Sequence, residues 1–268
     1  MIRGFGQEWS AFDQSDLAAE EHRELFGRYF RIFPWGGLPQ NAEGFDLGCG
    51  SGRWAAEVAP RVGKLHCIDP SEPALEVARR RLANMRNVAF HAEAVDSIPL
   101  PDNSQDFGYS LGVLHHVPDT AAALNGCVRK LRRGAPFLVY LYYRFDQRPA
   151  WFVALWRVSD GARRVISRAP FRVRRVITDA IAAGVYWPLA RGARLLEKLG
   201  MDVSGLPLNA YRRLSFYSMR TDALDRFGTR LEQRFTRAEI HSMMEAAGLE
   251  DIRFSDGQPY WVACGRKR

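Results

Sequence analysis

No stretch of eighteen or more apolar residues occurs in this sequence, so nothing in it reads as a membrane-spanning helix. The opening residues, MIRGFGQEWSAFDQSD, lack the apolar run of a secretory leader, and a cytoplasmic setting is the expectation. Cysteine is scarce: Cys49, Cys67, Cys127 and Cys264 stand far apart and follow no ligand spacing. That excludes a disulfide framework and a zinc centre; no metal is expected, and Cys67 and Cys264, in apolar runs, read as core residues. Internal repeats and low-complexity tracts are also missing.

What is present is an ordinary globular composition, 47% hydrophobic and 25% charged over 268 residues, enough for one large domain carrying an insertion. The net charge of +8 is unevenly placed, with nine arginines between Arg144 and Arg175 against Asp146 and Asp160. Such a segment is either a solvated helical face or the partner of something anionic.

Periodicity places a helix from Asp16, with Leu17, Leu25, Phe26, Tyr29, Phe30 and Phe33 as its apolar side, ended by Pro34 and Gly36-Gly37. Strand and helix patterns then alternate: GFDLGC, RWAAEVAPRV, KLHCID, a helix capped by Ser71, NVAFHAEA, DFGYSLGV, DTAAALNGCVRKL and PFLVYLYY. Alternation of this kind implies a parallel sheet with helices on both faces. The pattern breaks at Arg144 into an arginine-rich helical stretch with Trp151, Trp156, Tyr186 and Trp187 interleaved. A capping box of Thr236 and Glu239 starts the last helix, and LEDIRFS and YWVACGRK follow as a hairpin.

The glycines of FDLGCGSGRWAAEVA need a reason, because each costs backbone entropy. A strand, a glycine-rich turn and a helix N-terminus together make a ligand site at the carboxyl edge of a sheet. Asp69, at the end of the second strand, is placed to accept both hydroxyls of a ribose. The spacing Gly48-x-Gly50-x-Gly52, with Asp46 two residues ahead, differs from the Gly-x-Gly-x-x-Gly of dinucleotide enzymes.

Asp46-Leu-Gly-Cys-Gly-Ser-Gly52, Ile68-Asp69-Pro70-Ser71, the Ser-Ile-Pro-Leu-Pro stretch from Ser97, Asp106 through Asp119, and Arg-Lys-Leu-Arg-Arg-Gly134 resemble the successive motifs of class I S-adenosylmethionine-dependent methyltransferases. The group most resembled methylates small molecules such as sugars and quinones. The resemblance covers about residues 40 to 145 and resumes weakly in the final helix and hairpin. With the pattern's break at Arg144, the expected fold is α/β, a doubly wound seven-stranded sheet, mostly parallel, with a helical insertion between strand five and the last helix; the resemblance implies that the last strand is antiparallel. It also implies a helical cap over residues 1–40, a cofactor-binding domain over 41–145 and 230–268, and an acceptor-covering insertion over 146–229.

Carried over by residue, the resemblance puts Gly48, Gly50 and Gly52 against the methionine part of the cofactor. It assigns Asp46 to the loop and the cofactor's amino group, Asp69 with Pro70 to the ribose, and Ser110 and Leu111 to the methionine end. The family's acidic adenine contact is replaced by Ala94, which leaves the Val95 backbone and Asp96 for that task. The product would be S-adenosylhomocysteine. Trp9 and Tyr29 are candidates to cover the cofactor.

Methyl transfer to a hydroxyl requires in-line placement and removal of a proton. His115 and His116 follow the fourth strand, where similar enzymes acting on sugars use a histidine as base. Each also reads as a cap of the next helix, His116 more so. Tyr142 and Tyr143 stand at the same edge, for acceptor contact or for packing. No Asn/Asp-Pro-Pro-Tyr follows the fourth strand, Cys127 falls in a helix, and no carboxylate cluster is found, so adenine, cytosine and metal-assisted catechol methylation are disfavoured. The block from Arg212 to Arg226 reads as acceptor-contacting or as a salt-bridged surface.

The expected activity is O-methylation of a polar, on the arginine argument anionic, small molecule such as a sugar or glycan precursor. The alternatives are cyclisation or aminocarboxypropyl transfer with the same cofactor, and an RNA- or membrane-associated role for the basic insertion. Nucleic acid is the weaker partner; peripheral membrane contact is a further expectation, and oligomeric state is open.

Overall fold

In the computed structural model the described residues are 19–145, 148–257 and 261–268; Trp9 and Leu17 fall outside them. They form two compact units, one of Arg23–Arg144 with Leu231–Arg268 and one centred on Phe145–Arg230.

The first unit is built on seven strands: β1 (Glu43–Leu47), β2 (Lys64–Ile68), β3 (Val88–His91), β4 (Phe107–Leu111), β5 (Pro136–Tyr140), β6 (Leu249–Phe254) and β7 (Val262–Lys267). Their order is β3-β2-β1-β4-β5-β7-β6. β1 to β5 pair in parallel, and β7 inserts antiparallel between β5 and β6, as expected. Strand order reverses between β1 and β4, so the crevice of a doubly wound sheet opens at their carboxyl ends. The β1–β4 pairing is set by size: Gly44 faces Phe107 and Phe45 faces Gly108, and a Cβ on either glycine would stand 2.3–2.4 Å from the opposing ring.

Helices follow in chain order: α1 (Ala19–Tyr29), α2 (Ala55–Val58), α3 (Glu72–Arg81), α4 (Thr120–Lys130), α5 (Ala150–Ile166), α6 (Phe171–Ile181), α7 (Trp187–Lys198), α8 (Phe216–Gly228) and α9 (Arg237–Ala246). Ser71 caps α3 through the Ala74 amide, and the Thr236–Glu239 capping box opens α9. The helix expected over RWAAEVAPRV is shorter than its pattern: α2 gives way to a 3₁₀ turn at Ala59–Arg61, where Pro60 has no amide to continue it. Two apolar clusters cover the sheet, one around Phe45, Leu114, Leu124 and Phe137, the other around Phe30, Phe33, Leu65 and Tyr109. All four cysteines are buried and free.

The second unit holds α5 to α8 around Ala182, Tyr186, Ala190, Met219, Ala223 and Phe227. A π turn at Ala182–Tyr186 joins α6 to α7, ahead of Pro188, which cannot donate into an α-helical ladder. Arg212 and Arg213 both meet Glu197, and Arg220 meets Asp179, so these three arginines are ion-paired within their own unit.

Candidate cofactor and acceptor site

The loop after β1 closes by hydrogen bonds that its glycines make sterically possible. The Gly48 and Cys49 amides both donate to the Ile68 carbonyl, at 2.7 and 3.2 Å, pulling the loop against the end of β2. Gly48 has φ +77°, and a Cβ there would lie 2.3 Å from Val113. Gly52, at φ +72°, sits 3.1 and 3.2 Å from Leu82 and Ala78 in the same sense, which lets the loop pack on α3. Asp69 completes the closure: its Oδ2 accepts from the Gly50 amide at 3.0 Å and its Oδ1 from the Ser71 amide at 2.9 Å. The carboxylate expected for a ribose therefore also fixes the glycine loop, and each oxygen keeps a lone pair for a further donor. Pro70 beside it is exposed.

Asp46 lies beneath this loop and is 1% exposed. Burial pushes its carboxyl up to about 8; the neighbouring Tyr109 hydroxyl draws it down and the charge of Asp69 raises it further. Tyr109 faces Asp46 across the β1–β4 pairing, near enough for that effect but outside hydrogen-bonding geometry. Asp46 Oδ2 and the Ser51 hydroxyl are buried with no partner among the described residues. A buried acceptor without a donor is costly unless a ligand supplies one. A cofactor bearing an ammonium and ribose hydroxyls fits this set: an acceptor at Asp46, acceptors at Asp69, and a glycine turn between them.

The remaining expected contacts lie around the same edge. Ser110 is fully buried and its hydroxyl donates to the Leu47 carbonyl at 2.9 Å, tying β4 to β1. Leu111 is packed among the second apolar cluster, together with Tyr140 and Trp54. Val95, half-buried, and Asp96, exposed, form the turn after β3; the nearby Glu93 carboxylate accepts the Ser97 hydroxyl. Tyr29 sets its ring against Trp54 and Tyr140, with centroids at 4.9 and 5.2 Å.

His115 and His116 sit in a 3₁₀ turn, Leu114–His116, that follows β4 directly. The two behave differently. His116 Nδ1 donates to the Leu231 carbonyl at 2.7 Å, a structural tie. His115 is fully buried, and neither ring nitrogen has a hydrogen-bond partner among the described residues. Its imidazole stacks on Tyr142 with centroids 3.8 Å apart and touches His116 at 4.0 Å. Burial above all, then His116 and Arg234, holds it well below the usual histidine range, so it is neutral. Tyr143 turns instead to Trp261 and the apolar core.

Arg234 escaped the sequence reading. Its guanidinium lies 5.0 Å from the Tyr142 ring centroid, donates to Glu232 at 2.7 Å, and to the Tyr143 carbonyl at 3.2 Å. Gln233 beside it donates through its amide to the His115 carbonyl at 2.9 Å and through Nε2 to Val117 at 2.6 Å. Ser51 and Tyr109 carry no signal in the sequence either, the first because it stands between two glycines of the loop, the second because it reads as strand core. Among the described residues no group of His, Cys, Asp and Glu could hold a metal ion.

Comparison with known proteins bears on the family and the fold. Residues 45–139 match the family model described as a methyltransferase domain. An uncharacterised methyltransferase of Mycobacterium tuberculosis is 31% identical over 121 residues, covering 45% of this chain and 61% of that protein. The demethylmenaquinone methyltransferase of Staphylococcus aureus is 35% identical over 123 residues, covering 44% of this chain and 49% of that one. The chain thus spans less than two thirds of these curated relatives. The YcgJ protein of Bacillus subtilis shares the fold, with a TM-score of 0.52 at 17% identity over 87% of this chain and 70% of that chain. Over residues 45–139 the chain is thus similar to the methyltransferase-domain family.

Proposed function

We propose that the protein transfers a methyl group from S-adenosylmethionine to a hydroxyl of a small molecule, leaving S-adenosylhomocysteine. The observation that carries this is the pairing, at one topological switch point, of a glycine loop held by Asp69 with a buried imidazole, without a hydrogen-bond partner among the described residues, in the turn after the neighbouring β4. When bound, the cofactor supplies the electrophilic carbon and the positive charge that leaves with it. Asp46 and Asp69 hold it, Asp46 at the amino group and Asp69 at the ribose. His115 takes the acceptor's proton at a ring nitrogen, and Tyr142 fixes the imidazole plane by stacking.

The neutrality of His115 bears on the acceptor. A weakly basic imidazole is matched to an acidic hydroxyl, phenolic or quinol-like, better than to a sugar alcohol. The likeness to a demethylmenaquinone methyltransferase supports a quinone-type molecule as the acceptor, and not a hydroxyl in particular. The second reading is a polar or anionic sugar-type acceptor, favoured by the arginine surplus. Several of those arginines, however, bind carbonyls and carboxylates of their own unit.

Incubation with methyl-labelled S-adenosylmethionine in a cell extract, followed by separation of lipid, metabolite, RNA and protein fractions, tests this. Label in the lipid or metabolite fraction, lost with His115→Ala, is the expected result. Label in RNA refutes a small-molecule acceptor, and methylthioadenosine as the product refutes methyl transfer.

A further inference from the structure

Beside the apolar core of the Phe145–Arg230 unit, α5 and α6 bury charged side chains and expose apolar ones. On α5 the buried residues are Asp160 and Arg163, the latter 5% exposed, while Ile166 packs on the apolar core. Arg163 Nε donates to Asp160 at 2.8 Å, and its Nη1 donates to the Thr229 and Arg230 carbonyls at 2.8 and 3.1 Å. Arg174 of α6 is buried too and donates to the Gly228 carbonyl at 3.1 Å. Both guanidiniums occupy the C-terminus of α8, where free carbonyls and the helix dipole favour a cation.

The outer faces are apolar. Trp151, Leu155, Val158 and Val165 recur at helical spacing along α5, and Val158 is 74% exposed. Val173 and Val176 repeat this on α6, with Val176 at 69%, and Leu195 on α7 with Leu199 at its C-cap. Among the described residues, every exposed large apolar side chain lies between Trp151 and Phe216.

Water as the only surroundings selects the reverse arrangement, with valine and leucine inside and arginine outside. An apolar stripe beside cations suits a bilayer interface, where acyl chains receive the stripe and anionic headgroups the guanidiniums. Charge agrees. Phe145–Arg230 holds sixteen Arg and Lys against seven Asp and Glu, a surplus of nine in a chain whose total is +8. Arg157, exposed on α5, and Arg168, exposed just past its end, flank the stripe on stems long enough to reach headgroups, and Arg164 beside them is exposed but ion-paired with Asp160. No helix among the described residues is long and apolar enough to cross a membrane, which leaves the interface itself. A second copy would set this surplus of positive charge against its own, and a nucleic acid would leave the valines and leucines in water.

We propose that the exposed apolar stripes of α5, α6 and α7, with their flanking arginines, dock this chain on the surface of an anionic bilayer. The test is co-sedimentation of the full chain with vesicles of phosphatidylcholine alone and with one third phosphatidylglycerol. Partition onto the mixed vesicles should be stronger by about tenfold or more, given roughly fivefold per engaged basic residue, and should weaken in high salt. The double variant Val158→Asp/Val176→Asp changes two exposed positions and should lose that partition about tenfold, with its melting temperature and cofactor affinity unchanged. Arg157→Glu/Arg168→Glu should bind both vesicle types alike. Absence of sedimentation, equal binding by wild type to both vesicles, or binding indifferent to the aspartates would overturn the proposal. So would a dimer broken by the same aspartates, or retention on RNA without retention on vesicles.

Discussion

His115 and Asp46 are both held in their neutral forms by burial, and the two consequences separate by pH. An imidazole kept well below the usual range stays a base in mild acid. At saturating cofactor, kcat should therefore hold between pH 7.5 and 5.5, where a free histidine near 6.5 would lose most of its basic form. His115→Ala should lower kcat by about 10²–10⁴-fold while cofactor affinity stays put. A fall in kcat with an apparent pKa near 6.5 would show that another group is the base. For Asp46 the sign runs the other way. Its folded carboxyl titrates at about 8 against 3.8 unfolded, so the native state holds a proton that the unfolded chain has lost. Stability of the ligand-free protein should be greatest in acid with respect to this group and should fall as pH rises through 8. Between pH 6 and 8 the loss is about 2–3 kcal/mol, readable by denaturant titration, and Asp46→Asn should remove that slope.

At the scale of elements, the glycine loop and the helix that follows it form one packing unit. Gly48→Ala adds a Cβ 2.3 Å from Val113 at a left-handed φ, and should cost about 2–4 kcal/mol as well as cofactor binding. Adding Val113→Ala should recover the steric part but leave the conformational part. In the second unit, Arg163→Ala strands the buried Asp160 beside only the exposed Arg164, and leaves two carbonyls past α8 without their donor. A loss of about 3 kcal/mol is expected in thermal or chemical melts.

These elements also show what a sequence discloses. β1 with its glycines, Asp69 and the turn at His115 are legible because each function sits within a few residues of a strand end. Arg234 is not, since its partners Tyr142 and Tyr143 lie some ninety residues away and its neighbours follow no period. The helical period of α5 is equally plain, yet periodicity marks two faces without saying which is inward. The arginines suggest a wet outer face, whereas Arg163 and Arg174 serve the carbonyls after α8 and Val158 and Val176 face outward. That outcome depends on tertiary contacts no local pattern encodes.

For the whole molecule, two charge regimes divide the work. The Phe145–Arg230 stretch holds more than the entire positive surplus, and the remainder of the chain, with the sheet and the glycine loop, is close to neutral. Cofactor binding should accordingly be nearly insensitive to ionic strength, whereas attraction to an anionic surface should fall steeply with salt. Measuring both on one preparation checks that the two properties are separate.

The central claim is that the loop between Asp46 and Asp69 holds S-adenosylmethionine, and calorimetric titration of the cofactor into the protein tests it most directly. Saturable one-to-one binding is predicted for the wild type and for His115→Ala, with a loss of about a hundredfold or more in Asp69→Ala from two lost charge-assisted bonds. No heat of binding to the wild type, or binding that survives unchanged in a folded Asp69→Ala, would contradict the account.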